Sequence, residues 1–305
     1  MRFLVAFTIL AQIGCGDASL AQTPVPDAQR AYEYLVEICD IGPRISGTPG
    51  MQKQQDIIQK HFEEFGARVQ FQEFDAAHPQ TGNPVRMRNI IVSWHPDAKE
   101  RVLICCHYDT RPWPDRERLE IHRRMPFIGA NDGASGVALF MELAHHMQSI
   151  KPRYGVDFVM FDGEELVYDR DDKYFLGSEY FATQYRDQPP QHRYVAGVLV
   201  DMIADKSLNL YYERNSLKYA SHVTRSVWSA ARELRVSEFI PRRKHGVRDD
   251  HLPLNEIAKI PTTDVIDFDY PYWHTRNDVP AACSGKSMSK VGRVLLRWLE
   301  VYSPE

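Results

Sequence analysis

Apolar residues form short runs in some parts of the chain and recur at helical spacing in the parts between them. The short runs predict strands at about 67–74, 87–94, 101–106, 156–161, 195–200 and 260–268. The helical spacing predicts helices at about 27–39, 51–65, 129–148, 177–185, 216–234, 254–258 and 285–301. Because the two kinds of segment alternate, we expect a single α/β domain over 27–305, with a central mixed, mostly parallel β-sheet flanked by helices on both faces.

Two adjacent glutamates follow one of these strands. The segment 158–165 reads Phe-Val-Met-Phe-Asp-Gly-Glu-Glu, which is typical of a buried strand that stops at an Asp-Gly turn. In open α/β sheets the carboxyl ends of the strands form the ligand crevice, so we expect chemistry here. Neighbouring side chains at such a junction point in different directions, so one of Glu164 and Glu165 could bind a metal while the other carries a proton. Taken alone, the segment is also consistent with two solvated loop glutamates.

Acids and histidines stand at the ends of several predicted elements: His107, Asp109, Asp132, Asp201, Asp249, Asp250 and His274. Each has an ordinary structural interpretation, such as a helix cap for Asp132. Their shared location at strand ends predicts one site, because strand ends converge on one crevice. Carboxylates and imidazoles without cysteine suit a catalytic zinc that keeps one position open. Neighbouring acids that are not ligands would have raised pKa values, as a general acid or base requires.

Composition narrows the class of protein. The 305 residues are 43% hydrophobic and 26% charged, which is ordinary for a soluble globular chain. The net charge of −4 gives no basic surface, so we do not expect nucleic acid as a partner. Four cysteines follow residue 21 and allow a disulfide without demanding one: Cys39, Cys105, Cys106 and Cys283.

The first 21 residues have the pattern of a signal peptide. Arg2 supplies a positive charge, 3–13 is an apolar run too short to span a bilayer, and 19–21 offers small residues for cleavage. We therefore expect an exported protein, periplasmic or extracellular, without a transmembrane segment. A degenerate lipoprotein box ends at Cys15, so a lipid anchor there ranks second.

The motifs resemble a known superfamily, the zinc-dependent aminopeptidases and their relatives the glutaminyl-peptide cyclotransferases (glutaminyl cyclases). The resemblance runs from about Ala28 to the C-terminus and depends on six motifs in the correct order: 107–109, 129–136, 162–165, Asp201, 249–251 and 273–275. It implies an enzyme that acts on the N-termini of peptides or proteins.

The two branches of the superfamily differ in metal count and nucleophile. The aminopeptidase pattern implies two zinc ions with Glu164 as base, and its metal ligands carry over as His107, Asp132, Glu165, Asp201 and His274. The cyclotransferase pattern implies one zinc on Asp132, Glu165 and His274, which polarises the γ-carbonyl of an N-terminal glutamine. The substrate's own amine then attacks the γ-carbon, closing pyroglutamate and expelling ammonia. Glu164 would move the proton, while Asp201 and Asp250 would form a hydrogen-bonded acid pair.

Three features favour the cyclotransferase, specifically its bacterial branch. Asp249 stands where aminopeptidases more often have serine, and Trp273 stands where cyclotransferases place an indole against the substrate. In addition, the segments 107–113, 129–136 and 249–252 look like the bacterial enzymes.

Other features keep alternatives open. The segment 131–136 is also close to the aminopeptidase motif, and every ligand for a second zinc is present. Animal-type cyclotransferases carry a tryptophan shortly after the twin glutamates, which 166–170 lacks, so the resemblance does not fix the shape of the substrate pocket. A non-catalytic peptide-binding protein on the same scaffold is a third interpretation, but it predicts loss of Glu164 or of a ligand.

Overall fold

The fold was analysed in a computed structural model that describes residues 23–304. The expected signal peptide, 1–21, and Cys15 lie outside the described residues. The strands are β1 Arg68–Ala77, β2 Pro84–Trp94, β3 Glu100–His107, β4 Gly155–Phe161, β5 Arg193–Asp201, β6 Leu210–Tyr212, β7 Phe239–Arg243 and β8 Thr262–Ile266. The helices are α1 Ala28–Cys39, α2 Pro49–Glu64, α3 Ala134–Ala144, α4 Leu176–Asp187, α5 Arg214–Tyr219, α6 Ser221–Glu233, α7 His251–Glu256 and α8 Gly285–Val301.

Six strands form one sheet in the order β1-β2-β4-β3-β5-β8. The pairs β4-β3, β3-β5 and β5-β8 are parallel, whereas β1-β2 and β2-β4 are antiparallel. The expected mixed, mostly parallel sheet is therefore confirmed. Because β3, β4, β5 and β8 run in the same direction, the residues that follow them meet at one edge.

Both faces of the sheet are covered by helices, as the alternating order predicts. On β3, Val102 and Ile104 pack in a large core with α1, α2, α3, α6 and α8, whereas Leu103 and Cys105 pack on the opposite face with α4 and α7. Successive side chains of a strand point to opposite faces, so a parallel strand buried on both sides reads as a continuous apolar run.

The structure corrects three details of the expected elements. The predicted helix 216–234 is two helices, because the backbone leaves the helical region at Ala220 (φ −138°, ψ 42°). Helix α3 ends at Ala144, four residues before the expected end. Residues 239–243, which lie outside every predicted element, form β7, which pairs with β6 in a small separate sheet that the sequence patterns do not indicate.

Within residues 23–304, all four cysteines are buried free thiols. Cys105 and Cys106 belong to the apolar strand β3 and lie on opposite faces of it. No helix in this part of the chain has the length and apolar character needed to cross a bilayer.

Candidate active site

The predicted site residues converge on a cleft of about 680 Å³ at the carboxyl edge of the parallel strands. His107 ends β3, Asp201 ends β5, and the twin glutamates follow β4 after one turn. The remaining expected residues that line the cleft come from loops, namely Asp132, Asp249, Trp273 and His274. This convergence is what the position of the motifs at strand ends predicts.

Asp132, Glu165 and His274 form a buried group that could hold a metal ion. His274 Nε2 lies 2.8 Å from Glu165 Oε1 and 3.5 Å from Asp132 Oδ2. Burial first, and then the charge of Glu165, raises the pKa of Asp132 to about 6. Burial opposes ionisation of His274, but the charge of Glu165 prevails and raises its pKa to about 9.

The donor set fits zinc. Two carboxylates and one imidazole are the ligands of a catalytic zinc site that keeps a position open. Asp132 Oδ2 is buried without a hydrogen-bond partner, which a bound cation would supply. His274 Nδ1 lies 2.8 Å from Asp115 Oδ1. Because an ionised carboxylate only accepts, Nδ1 carries the proton and Nε2 is free to ligate.

A second group shares Asp132 with the first and adds His107 and Asp201. His107 Nε2 lies 3.1 Å from Asp132 Oδ1 and 3.3 Å from Asp201 Oδ1. Every residue expected to bind a second ion is therefore in place, with Asp132 between the two groups.

The backbone of the twin glutamates is fixed by Asp109. Its carboxylate accepts hydrogen bonds from the backbone N–H of Glu164 (3.2 Å) and of Glu165 (2.9 Å). Burial, and then the charge of Glu165, raises the pKa of Glu164 well above its ordinary value. Burial opposes ionisation of Glu165 too, but His274 and the Arg111 guanidinium lower its pKa well below the ordinary range. The pKa values of the two neighbours are therefore shifted in opposite directions, upward for Glu164 and downward for Glu165.

Asp249 and Asp250, both predicted as site residues, lie in different surroundings. Asp249 lines the cleft, and burial and then the charge of Asp201 raise its pKa well above the ordinary value. Asp250 is fully buried outside the cleft lining, where it accepts a hydrogen bond from the Ser178 hydroxyl. Asp250, which was expected to pair with Asp201, therefore does not line the cleft, whereas Asp249 shares the lining with Asp201.

Aromatic side chains form one wall of the cleft. Trp273 is half-buried in the lining, and the guanidinium of Arg116 stacks 3.8 Å from the centroid of its ring. Tyr174 and Phe175 line the side that follows the twin glutamates.

Comparison with known proteins identifies the family. The model of peptidase family M28 matches residues 89–299. The chain belongs to peptidase family M28. A crystal structure of Fimbriiglobus ruber glutaminyl cyclase is 45% identical, with a TM-score of 0.89, covering 92% of this chain and 97% of that one. This similarity places the chain with the glutaminyl cyclases of the M28 family, as the motifs suggest.

Other relatives of this chain include both a glutaminyl-peptide cyclotransferase and a Zn-dependent exopeptidase. The glutaminyl-peptide cyclotransferase of Drosophila melanogaster is 24% identical over 260 residues, 77% of this chain and 70% of that protein. A structure described as a Zn-dependent exopeptidase from Parabacteroides distasonis is 30% identical, with a TM-score of 0.85, covering 92% of this chain and all of that one (100%). A zinc-binding M28 relative agrees with the donor set found here.

The sequence motifs assigned no role to several residues of this site. Arg111, inside the segment 107–113, pairs with Glu165, and Asp115, outside every motif, pairs with His274. Asp278 accepts hydrogen bonds from the backbone of Asn131 and Asp132.

Two buried residues behind the cleft also escaped the motifs, Glu213 and Asp264. His251 lies between them, with Nε2 3.4 Å from Glu213 Oε2 and Nδ1 3.8 Å from Asp264 Oδ2. Asp264 could have been recognised from the sequence, because it lies inside the apolar strand β8 and a buried carboxylate requires a partner.

Proposed function

We propose that this protein is a zinc-dependent glutaminyl-peptide cyclotransferase, which converts the N-terminal glutamine of peptides or proteins to pyroglutamate with release of ammonia. The observation that carries the proposal is Asp249, an acid with a raised pKa that lines the cleft beside Asp201. A protonated acid there donates a hydrogen bond to a developing oxyanion or tetrahedral centre, which supports aminolysis in the cleft.

Asp132, Glu165 and His274 would hold one zinc ion. When bound, the ion supplies a Lewis acid for the γ-carbonyl of the substrate. We propose one ion, because His107 Nε2 already lies within hydrogen-bond distance of both Asp132 and Asp201. A protonated imidazole there can satisfy the two carboxylates that a second cation would otherwise occupy.

Glu164 is the proposed proton carrier. It removes a proton from the attacking amine as the new N–C bond forms, and it delivers that proton to the departing amide nitrogen as the C–N bond breaks. Its raised pKa brings the ionised and protonated forms closer in free energy near neutral pH, which suits a group that must play both roles. Since attack is intramolecular, holding the glutamine against Trp273 in the ring-closing geometry supplies part of the acceleration.

We also propose that the catalytic domain, 27–305, acts outside the cytoplasm, because 1–21 has the sequence of a signal peptide. Cys15 stands in a degenerate lipoprotein box, so retention by a lipid anchor is the second form of this proposal. Globomycin sensitivity of the processed form separates the two.

A zinc aminopeptidase is the second candidate, favoured by the complete second ligand group and by the exopeptidase relative. The deciding experiment incubates the zinc-loaded mature protein with a Gln-Xaa peptide and a Leu-Xaa peptide and measures product masses. Loss of ammonia from an uncut Gln peptide is the result expected of a cyclotransferase. Release of free leucine without cyclisation would establish the aminopeptidase, and no change in either peptide would favour a binding protein.

A further inference from the structure

We propose that three exposed arginines at the mouth of the cleft, Arg116, Arg170 and Arg248, select substrates that carry an acidic residue shortly after the N-terminal glutamine. We call these residues the arginine rim. The inference rests on the proposed cyclotransferase activity and extends it to a substrate class.

The lining of the cleft is divided by charge and depth. Its buried ionisable residues include four acids, namely Asp132, Glu164, Glu165 and Asp249. The arginine rim forms the cationic part of its exposed lining. The chain has a net charge of −4, so its overall composition does not explain a cluster of cations around these four buried acids.

The rim arginines have no acidic partners of their own. Within residues 23–304, neither Arg116, Arg170 nor Arg248 forms an ion pair, whereas the deeper Arg111 pairs with both Asp115 and Glu165. Exposed arginines without partners at a ligand cleft are available to bind a carboxylate, for which the planar guanidinium is well suited.

The three arginines approach the mouth from different loops. Arg116 follows β3, Arg170 lies between β4 and α4, and Arg248 lies between β7 and α7. The guanidinium of Arg116 lies over Trp273, and that of Arg248 lies 6.0 Å from the centroid of the Phe175 ring. The positive charges therefore stand beside the aromatic wall of the cleft.

The path of a bound peptide brings its later residues to this rim. The N-terminal glutamine must reach the buried acids and the ligand group, so the chain that follows it can leave only through the open mouth. A cleft of about 680 Å³ lies within the usual range for ligand pockets, and residues beyond it pass the rim. An acidic second or third side chain would meet the rim arginines there, and a lysine would be repelled.

The size of the preference for an acidic substrate residue is limited by the solvent exposure of the arginine rim. An exposed ion pair favours binding by about two- to fivefold, and salt weakens it. The contact is the same in the bound substrate and in the transition state, because the rim is remote from the reacting atoms. The preference should therefore appear in KM and leave kcat nearly unchanged.

The test uses three amidated peptides, Gln-Xaa-Ala-Ala with Xaa as Glu, Gln or Lys, and the zinc-loaded enzyme. We expect kcat/KM in the order Glu, Gln, Lys, with a Glu-to-Gln ratio of about three or more at low salt and a smaller ratio at about 0.5 M salt. Arg116→Gln, Arg170→Gln and Arg248→Gln should each lower the ratio, and the triple variant should bring it near one. Arg225→Gln, an exposed arginine on α6, is the matched control and should leave the ratio unchanged.

Equal kcat/KM for the Glu and Lys peptides, with the Gln peptide still cyclised, would overturn the inference and leave the proposed function standing. A ratio that falls as much in Arg225→Gln as in the rim variants would also overturn it. If the parent enzyme cyclises none of the three peptides, the proposed function itself fails, and the inference fails with it.

Discussion

Removal of the Asp115 carboxylate should weaken zinc binding without harming the fold. Asp115 Oδ1 lies 2.8 Å from His274 Nδ1, on the side of the ring opposite to the ligand group. This bond fixes the orientation of the imidazole and, in the neutral ring, favours the tautomer that carries its proton on Nδ1 and leaves Nε2 to ligate. Asp115→Ala removes the bond, and Asp115→Asn keeps an acceptor but removes its charge.

The magnitude follows from the bond and its exposure. A hydrogen bond to a charged group contributes about 1.5–3 kcal/mol. Because 43% of the Asp115 side chain is exposed, solvent screens part of this, and we expect a loss of about 1–2 kcal/mol. Zinc affinity should therefore fall by about 5- to 30-fold in Asp115→Ala, and by less in Asp115→Asn.

The loss of zinc affinity in Asp115→Ala should become larger as the pH rises. Glu165 and Asp115 together raise the pKa of metal-free His274 to about 9 against the effect of burial, so below that pH zinc must displace a proton from the ring. Without Asp115 the pKa of His274 falls and the competition from protons weakens, which offsets part of the lost affinity at about pH 7. Competition with a chelator at several pH values measures both effects.

Glu120→Ala is the matched control, since Glu120 is an exposed acid in the same loop, remote from His274. If Asp115→Ala bound zinc as tightly as the parent at every pH, Asp115 would not orient His274. A fall in affinity of equal size in Glu120→Ala would indicate a general effect of charge instead.

Three further changes test the proposed roles. Glu164→Gln should abolish turnover while zinc remains bound, as measured by product mass and metal content; loss of the zinc would make Glu164 a ligand. Asp249→Ser should lower kcat for cyclisation by about 100-fold or more, since it removes a donor beside the reacting centre, and unchanged cyclisation would exclude that role. Gly133→Ala should lower thermal stability by about 1–3 kcal/mol, because Gly133 has φ +95° and a Cβ would lie 2.5 Å from the carbonyl oxygen of Asp109. An unchanged melting temperature would show that the loop can rearrange.

The sheet and the position of the cleft were predictable from the sequence. The runs that predict β3, β4, β5 and β8 are apolar because both faces of a parallel strand are buried. A short-range pattern therefore encodes a long-range pairing. Motifs such as 162–165 sit where these runs end, and parallel strands bring their ends together, so the approximate contents of the site followed from the same pattern.

The orientation of neighbouring acids was not predictable in the same way. Asp249 and Asp250 are consecutive at the entrance to α7, and which of them faces the cleft depends on Ser178 of α4, whose hydroxyl donates a hydrogen bond to the Asp250 carboxylate. Asp278 holds the loop of Asp132 by accepting a hydrogen bond from its backbone N–H, and the two residues are 146 positions apart in the sequence. The short pairing of β6 with β7 is likewise decided by packing, because a three-residue strand has too few positions to show a period.

Four acids of this cleft, Glu164, Glu165, Asp115 and Asp249, fall into two groups according to their surroundings. Glu165 and Asp115 have cationic neighbours, His274 and Arg111, which overcome burial and lower their pKa values. Glu164 and Asp249 are buried beside other acids, which raises theirs. The ionised Glu165 and Asp115 can therefore hold a metal and orient its ligand, while Glu164 and Asp249, whose ionised forms are disfavoured, can exchange protons more readily. Since both environments lie within one cleft, the carboxyl edge of the sheet brings together the metal ligands and the proton carriers that the proposed ring closure would require.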